Sequence, residues 1–408
     1  MTSRLTKFLL IAPALLAIIV DYFGWGLVYP LATAIFDDPV NGFLSAAATQ
    51  ATRDFYLSLS FLLYPLCLLF GSSTLGDLSD IYGRKKILLL STLGICVSFI
   101  CMGLGVLVKS LGLFLFGRAF SGFMAGCAPI AQASVVDLSS PEDKPFNLAL
   151  LSLTFAIGLI LGPLVGSILS DSHLISWFGY TTPLFFSAAL ALAAALWIQA
   201  KFSPQPRLNP VKTFSLTRPF ILFKEAVQSL ELRHLAFVLF LFQFGVSLYI
   251  QSMLIFLNTH LHYTSVGLAL FWTIMGLGFV LGLMLLKALM RTSIRISQMI
   301  FIALSLQALV VILSSFIAQE STLWTLGFFF SFLNPFSYAL LMAVFSDSAP
   351  QESQGWVMGI WSAVIALAFI VGGLANNLVP LFGLDPVIFL GGVAIFLAAF
   401  TFRRYVKR

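Results

Sequence analysis

Apolar stretches of about 20 residues recur along the whole chain, separated by short polar segments. Each stretch can cross a hydrocarbon core of roughly 30 Å as an α-helix, in which the backbone hydrogen bonds are satisfied internally. Only 9% of the 408 residues are charged, whereas soluble domains carry roughly a quarter. Because so few charges cannot cover a water-exposed surface, we predict an all-α membrane protein.

Twelve spans are predicted, with approximate bounds 8–30, 55–75, 87–108, 111–136, 146–169, 180–200, 235–258, 264–286, 296–318, 322–345, 354–378 and 385–402. A polar interval rich in proline and basic residues separates the sixth span from the seventh. We therefore expect a six-helix bundle at 1–200, a cytoplasmic linker at 201–234 and a second six-helix bundle at 235–408. Mixed apolar and charged residues over 219–232 predict an amphipathic helix within this linker.

The basic residues follow this topology. All Lys and Arg residues except Arg53, Lys109 and Arg118 fall on the termini and on loops that share one side of the predicted membrane. Because basic loops stay in the cytoplasm, both termini are predicted to be cytoplasmic. The formal charge of +6 is explained by this bias, so it does not indicate a nucleic-acid partner.

The segment after the second span reads GDLSDIYGRKK over residues 76–86. It resembles the loop signature of the major facilitator superfamily, although Ile81 replaces a frequent basic residue. Gly76 and Gly83 are expected to permit close backbone approach and a tight turn. The resemblance implies a charge cluster that latches helices in the outward-facing state; the latch residues are Gly76, Asp77, Asp80, Gly83, Arg84 and Asp137. The alternative is that the basic triplet only anchors the topology.

Two further motifs agree with this family. Residues 115–122 read LFGRAFSG and resemble its R-x-x-q-G element, with Ser121 in place of glutamine. Residues 158–167 read GLILGPLVGS and resemble its antiporter signature, which favours export. The residues of that signature are Gly158, Gly162, Pro163 and Gly166. A purely structural packing role for the glycines is the alternative, since small residues at this spacing are common in membrane helices.

The resemblance implies the major facilitator fold of two pseudo-symmetric six-helix bundles in a bacterial inner membrane. It also implies proton-coupled exchange, resembling the tetracycline-exporter branch, with no cofactor beyond the proton gradient. All these motifs lie in the first half. The corresponding second-half loop, 282–295, has Lys287, Arg291 and Arg295 but no acidic residue, so it does not predict a second latch.

Two charged residues lie deep inside predicted spans. Asp21 lies about 20 Å along the first span and Arg118 about 10 Å from the opposite end of the fourth, so both reach similar depths in a core of roughly 30 Å. Ionisable residues at such depth are functional candidates by default. We expect the two to pair, with Asp21 exchanging the driving proton and Arg118 tuning that exchange. A static structural ion pair, or an Asp21 that simply faces water, is the alternative.

Polar and aromatic residues at similar depth are candidates for substrate contacts, although interhelical contacts would explain each of them too. The candidates are Trp25, Tyr29, Gln132, Gln243, Gln251, Asn334 and Trp361. No Walker loop, HExxH motif or Ser-His-Asp candidate is present, so neither an enzyme nor an ATP-driven pump is predicted. Two histidines, His260 and His262, are too few ligands for a metal site, and none is predicted.

The sequence therefore predicts a secondary active transporter that moves a small organic compound by alternating access. Proton-coupled export of drugs or amphipathic compounds is the first hypothesis. The alternative is a dedicated proton-coupled carrier of an endogenous metabolite such as a siderophore, amino acid or sugar. The expected partners are the substrate, protons and membrane lipid, and the chain is expected to act as a monomer without nucleic acid.

Overall fold

The computed structural model describes residues 4–137, 144–202, 224, 230–263, 265–317, 319–348, 354–376 and 379–406. Within these ranges the regular structure is entirely helical, and 12 helical segments are long and apolar enough to cross a membrane. The predicted all-α membrane fold with twelve spans is confirmed. The predicted amphipathic helix lies almost entirely outside the described residues.

Within the described residues, the first six spans comprise seven helices. Their bounds are α1 Arg4–Asp37, α2 Gln50–Tyr82, α3 Arg84–Leu107, α4 Leu111–Met124, α5 Cys127–Asp137, α6 Lys144–Ser170 and α7 Thr181–Lys201. The fourth span, predicted as one continuous helix, is divided into α4 and α5 by a turn at Ala125 and Gly126. Gly126 lies so close to α2 that a Cβ atom there would meet the backbone oxygen of Gly71 at 2.5 Å. The break therefore lies where two helix backbones touch.

The second six spans also comprise seven helices within the described ranges. Their bounds are α8 Leu230–Thr259, α9 Ser265–Leu289, α10 Ile296–Ser314, α11 Glu320–Asp347, α12 Gln354–Asn376, α13 Val379–Phe382 and α14 Leu384–Val406. The helix α13 is a single turn that Gly383, with a φ of 86°, separates from α14.

The chain divides into two compact units, Met1–Pro219 and Phe220–Arg408. The same pairings of spans occur inside each unit. The first span packs against the fifth, the second against the fourth and the third against the sixth. In the first unit these pairs are α1 with α6, α2 with α4 and α3 with α7. In the second unit they are α8 with α12, α9 with α11 and α10 with α14. This repetition is the pseudo-symmetry expected of two six-span halves.

At one end of the first unit, the segment after α1 is held by basic side chains. Arg53 is buried and donates to the backbone oxygens of Phe36 and Ser45, at 2.6 and 2.8 Å. Lys109, between α3 and α4, donates to the Val40 oxygen at 2.8 Å. These bonds satisfy carbonyl groups at and beyond the end of α1 that the helix itself leaves open.

Candidate functional site

Asp21 lies in the middle of α1 and is 5% exposed. The hydroxyl of Tyr64, from α2, donates a hydrogen bond of 3.0 Å to its Oδ1 atom. A buried carboxylate needs such donors because water is excluded from the membrane interior. This contact ties the carboxyl group to the second span.

Arg118 lies on α4 and is 1% exposed. Its Nε donates to the backbone oxygen of Ser60 at 3.2 Å. Its guanidinium carbon lies 5.0 Å from the centroid of the Tyr64 ring, within the range of a cation–π interaction. Ser60 and Tyr64 are one turn apart on α2, so a single helix face holds the Arg118 guanidinium through two contacts.

Asp21 and Arg118 are thus joined through Tyr64, whose hydroxyl serves the acid and whose ring serves the base. The two charges are near enough to interact electrostatically, but among the residues that the structure describes no salt bridge joins them. This differs from the expected direct pair. Depth along two helices predicts a common level, but it cannot show that a third helix supplies a side chain to both groups.

Two glycines let α4 approach its neighbours so closely that Arg118 reaches these partners. A Cβ atom at Gly122 would meet the backbone oxygen of Tyr64 at 2.2 Å, and one at Gly117 would meet the Ser98 oxygen of α3 at 2.8 Å. Gly122 is the last residue of the Arg118-x-x-Ser121-Gly122 motif. The motif therefore has a physical explanation. Gly122 allows α4 to pack closely against α2, and this packing brings Arg118 to its partners on α2.

The glycines of the α6 motif pack against α1 on both sides of Asp21. A Cβ atom at Gly158 would lie 2.9 Å from the Ile19 oxygen, and one at Gly162 would lie 2.4 Å from the Phe23 oxygen. Gly166 faces the Leu27 side chain at 3.1 Å, and Pro163 is buried. The motif therefore places the backbone of α6 against the part of α1 that carries the buried acid.

The aromatic candidates of the first unit form one cluster on α1 and α2. Tyr29 stacks on Phe61 with centroids 4.4 Å apart, and Trp25 meets Tyr29 edge to face at 5.2 Å. Trp25 and Tyr29 follow Asp21 at helical spacing of one turn each, so they extend the same stripe of α1. Gln132, on α5, is 6% exposed, and its Oε1 meets no donor in the described part of the chain.

The latch motif differs in part from expectation. Residues 76–82 are the last turns of α2, and only Gly83 separates α2 from α3. Gly83 has a φ of 97°, which only glycine adopts readily. Gly76 lies inside α2, and a Cβ atom there would meet nothing within 4 Å, so it does not provide the close approach that was expected of it. The polar segment simply continues the helix past the apolar span.

Arg84 is the first residue of α3 and is 3% exposed. Its Nη1 donates to the Ser79 hydroxyl of α2 at 2.9 Å, while Asp77 is also buried. The neighbouring Lys85 donates to the Gln199 oxygen near the end of α7 at 2.8 Å. Basic residues of this motif therefore make defined contacts. The side chains of Asp80 and Asp137 lie outside the described residues, so the three-residue charge cluster stays a prediction.

Of the second-unit candidates, Trp361 packs against a neighbouring helix and Gln251 bonds within its own helix. Gln243 is buried, and Gln251 donates to the Ser247 hydroxyl at 2.7 Å within α8. Trp361 is fully buried and packs edge to face on Tyr338 at 5.3 Å and on Phe345 at 5.5 Å. Asn334 is half-buried on α11. The structure thus divides the candidates between the two units, and the contacts just described lie within one unit.

Sequence reasoning missed three residues that the structure brings to notice. Tyr64 and Ser60 hold the buried charges of the first unit. Gln307 of α10 is fully buried, donates to the Phe330 oxygen at 3.3 Å and accepts from the Ser337 hydroxyl at 3.1 Å. A tyrosine or glutamine inside an apolar span needs a polar partner, so Tyr64 and Gln307 were detectable as polar groups without a role, although their partners were not. Ser60 contributes a backbone oxygen, which its residue type does not indicate.

Comparison with known proteins gives the family context. The family model described as Major Facilitator Superfamily matches residues 14–373. The chain is 26% identical over 391 residues to "Multidrug resistance protein 2" of Bacillus subtilis (strain 168), covering 93% of this chain and 90% of that protein. It is 27% identical over 157 residues to "Tetracycline resistance protein, class H" of Pasteurella multocida, covering 38% and 36% of the two chains. The resemblance to drug exporters of this family is confirmed.

A solved structure has the same fold. The crystal structure of the human organic anion transporter MFSD10 (TETRAN) matches with a TM-score of 0.81 and 19% sequence identity, over 97% of this chain and 99% of that one. At this identity the match shows the fold alone. It confirms the expected transporter fold, and neither the fold nor the family match is that of an enzyme.

Proposed function

Since the chain belongs to the Major Facilitator Superfamily of transporters, we propose that it exports drugs or similar amphipathic compounds in exchange for protons. The full-length similarity to a multidrug resistance protein supports the substrate class. The bias of basic residues toward one side supports cytoplasmic termini. The proposed location is a bacterial inner membrane, where a proton gradient is available as the driving force.

The observation that carries this proposal is the buried group formed by Asp21, Tyr64 and Arg118. A carboxyl group 5% exposed inside a span is costly, and it is retained beside an equally buried cation. Asp21 takes up and releases the driving proton. Arg118 balances the carboxylate electrostatically, and Tyr64 holds the two groups at a fixed separation. Because the acid is not locked in a direct salt bridge, it can change its protonation state without breaking one.

The α6 motif supports exchange through its position. Gly158 and Gly162 bring a helix backbone against α1 within one turn of Asp21. Small residues let two helix backbones approach closely. Movement between α1 and α6 would therefore change the surroundings of the acid, which is what alternating access requires of a coupling site.

The remaining assignments follow the family resemblance. Asp77, Asp80, Arg84 and Asp137, with Gly76 and Gly83, form the conformational latch at the α2–α3 end. The substrate contacts are Trp25, Tyr29 and Gln132 in the first unit and Gln243, Gln251, Asn334 and Trp361 in the second. The buried Arg84 and its bond to Ser79 support a structural part for the basic residue of the latch.

A dedicated carrier of one endogenous metabolite is the second candidate. The fold that it shares with a protein described as an organic anion transporter is compatible with this candidate, because one fold can serve transporters of different compounds. A carrier of this kind would transport a single compound class and would ignore unrelated drugs.

The test uses the purified chain in proteoliposomes that contain a trapped pH indicator. Tetracycline and ethidium are added outside in separate experiments, without an imposed gradient. Exchange brings the compound into the vesicle and moves a proton out, so the lumen is expected to become alkaline. In the Asp21→Asn variant, this alkalinisation is expected to fall to the level of protein-free vesicles. The matched control is Asp385→Asn, which removes an exposed acid from the first turn of α14 and leaves the response unchanged.

Two results would overturn this proposal. Normal proton exchange by Asp21→Asn removes the coupling role of the acid. Acidification of the lumen on adding a compound shows that protons move with it, which excludes exchange. Transport of a siderophore, amino acid or sugar, with no response to either drug, supports the second candidate.

A further inference from the structure

Arg118 has hydrogen-bonding capacity that the protein does not use. Its Nε donates to Ser60, and its guanidinium lies on the Tyr64 ring. Its Nη2 atom is buried and has no acceptor among the residues that the structure describes. Buried polar side-chain atoms in proteins almost always have a partner, so one that lacks it demands an explanation. The demand is stronger for a guanidinium, because a buried charge is costly unless paired and hydrogen-bonded.

Asp21 has unused capacity as well. Tyr64 donates to Oδ1, and within the described ranges this is the only hydrogen bond to the carboxylate. A carboxylate can accept several bonds through its two oxygens. The buried acid and the buried base therefore each bind a different part of Tyr64, and each keeps an atom available for another group.

The charge arrangement limits what can complete both groups. An anion that bonded Arg118 alone would be repelled by the nearby Asp21 carboxylate. A cation that bonded Asp21 alone would be repelled by the guanidinium. A single compound that carries both an acidic and a basic group satisfies both residues at once, since each of its charges meets its opposite.

An apolar region for the rest of such a compound lies beside the two charges. Tyr29 and Trp25 follow Asp21 along α1, and Phe61 stacks on Tyr29. Arg118 is also near enough to Tyr29 to interact electrostatically. Aromatic side chains offer ring faces for stacking and edge contacts. Charged and aromatic groups therefore lie along one stretch of α1, over two helical turns.

We propose that Asp21 and Arg118 together bind a zwitterionic amphiphile, whose basic group contacts the Asp21 carboxylate and whose acidic group accepts from Arg118 Nη2. This inference rests on the proposed function and names the charge class of its substrate. The basic group of the compound and the driving proton occupy the same carboxylate. Binding of one therefore displaces the other, which is the relation that exchange requires.

The test measures equilibrium binding of three dyes that share a xanthene frame, by fluorescence anisotropy with the full chain in nanodiscs. Rhodamine B carries a delocalised cation and a carboxylate, its methyl ester carries only the cation, and fluorescein carries only negative charge. Empty nanodiscs give the lipid background. Rhodamine B binds about tenfold more tightly than either of the others, a difference of ~1.4 kcal/mol.

The variants assign each part of this preference. Arg118→Gln removes the difference between rhodamine B and its ester, and Arg118→Lys restores part of it. Asp21→Asn removes the difference between rhodamine B and fluorescein. The matched controls are Arg291→Gln and Asp385→Asn, which remove exposed charges from the second unit and keep both differences.

The inference is overturned if the ester binds wild-type protein as tightly as the acid, if no dye binds above background, or if Arg118→Gln keeps the preference. The comparison of acid with ester uses the wild-type chain, so it remains decisive even where a variant fails to fold. Because binding is measured without a gradient, a loss of proton exchange in proteoliposomes leaves it unaffected, and the two proposals can fail separately.

Discussion

The contact between the first and fifth spans differs between the two units. In the first unit, α6 presents Gly158 and Gly162 to the backbone of α1, with the Phe23 oxygen only 2.4 Å from a Cβ atom at Gly162. In the second unit, α12 presents Gly372 to the Ser247 side chain and Gly373 to Gln251, at 2.5 and 3.7 Å. The nearest contact of Gly162 is therefore a backbone atom of α1, whereas the nearest contacts of Gly372 and Gly373 are side chains of α8.

The two buried charges of the first unit differ from the buried amide of Gln307 in the second, although Tyr249 Oη and Trp272 Nε1 of the second unit also lack a hydrogen-bond partner among the described residues. Asp21 and Arg118 of the first unit keep hydrogen-bonding atoms that have no partner in the described part of the chain. Gln307 of the second unit bonds through both its amide nitrogen and its amide oxygen. A satisfied buried amide stabilises one arrangement of helices, whereas an unsatisfied buried charge is ready to bind another group. The comparison suggests that coupling belongs to the first unit.

The largest expected effect concerns the backbone contact of α1 and α6. Gly162→Ala places a methyl group against the Phe23 oxygen and the Leu27 nitrogen, which no rotamer change relieves. Overpacking of this kind costs about 1–3 kcal/mol, more than the ~1 kcal/mol that alanine returns through helix propensity. Thermal unfolding of the detergent-solubilised chain is expected at a lower temperature, with loss of transport.

The matched control for that variant is Gly373→Ala in α12, where the added methyl group meets only the Gln251 side chain at 3.7 Å. The unfolding temperature stays unchanged or rises slightly, because alanine favours the helix. Equal destabilisation by both variants would show that the two units pack their first and fifth spans alike.

A smaller effect separates stability from coupling. Gln307→Leu leaves the Ser337 hydroxyl and the Phe330 oxygen without their amide partner, at a cost of about 1 kcal/mol for a hydrogen bond between membrane helices. Asp21→Asn keeps an oxygen that accepts from Tyr64 and removes a buried charge. Because Asp21→Asn also leaves the buried Arg118 guanidinium without its balancing charge, denaturant titration should show a loss of stability for both variants.

The exposed Gln298→Leu variant on the same helix α10 serves as the control for added apolar surface. Transport assays complete the comparison, since Gln307→Leu retains proton exchange while Asp21→Asn loses it. Loss of exchange with unchanged stability in Gln307→Leu would place coupling in the second unit as well.

The smallest effect concerns the segment that follows α1. Partial burial by itself raises the pKa of Asp38, but hydrogen bonds from the Asn41 and Val40 amides, the Asn41 side chain and the Tyr180 hydroxyl outweigh it and lower the pKa below 3.8. The folded state thus binds the proton less readily than the unfolded chain. The stabilisation is complete above pH 3.8 and is lost as the pH falls through the lower folded value.

Amide hydrogen exchange at Val40 and Asn41, corrected for intrinsic rates, measures this effect. Asp38→Asn is expected to increase exchange slightly at neutral pH, and the difference from wild type should disappear in strong acid. Tyr180→Phe removes one of the four donors and gives a smaller change of the same sign. An effect of Asp38→Asn that persists unchanged below the folded pKa would contradict this assignment.

Much of the fold was predictable because each span carries its own evidence. An apolar stretch of about 20 residues must be helical to satisfy its backbone in lipid, so the number of spans follows without tertiary information. The helical conformation of the polar residues 76–82 was harder to predict. The apolar pattern ends where the helix leaves the membrane, so it does not show that the helix continues to Tyr82. The break at Ala125 and Gly126 was also missed, because it lies at a contact with the backbone of α2 that the local sequence does not show.

The sequence by itself determined the membrane class, the helical spans, the family and the two deep charges, since these depend on residue type and order. Only the tertiary structure decided what those charges contact. Tyr64 lies 43 residues from Asp21 along the chain, and no local pattern relates them. Close packing at Gly122 brings α4 against α2 at Tyr64, and the same α2 residue bonds Asp21 of α1. A contact of this kind depends on how helices pack, which local sequence does not encode.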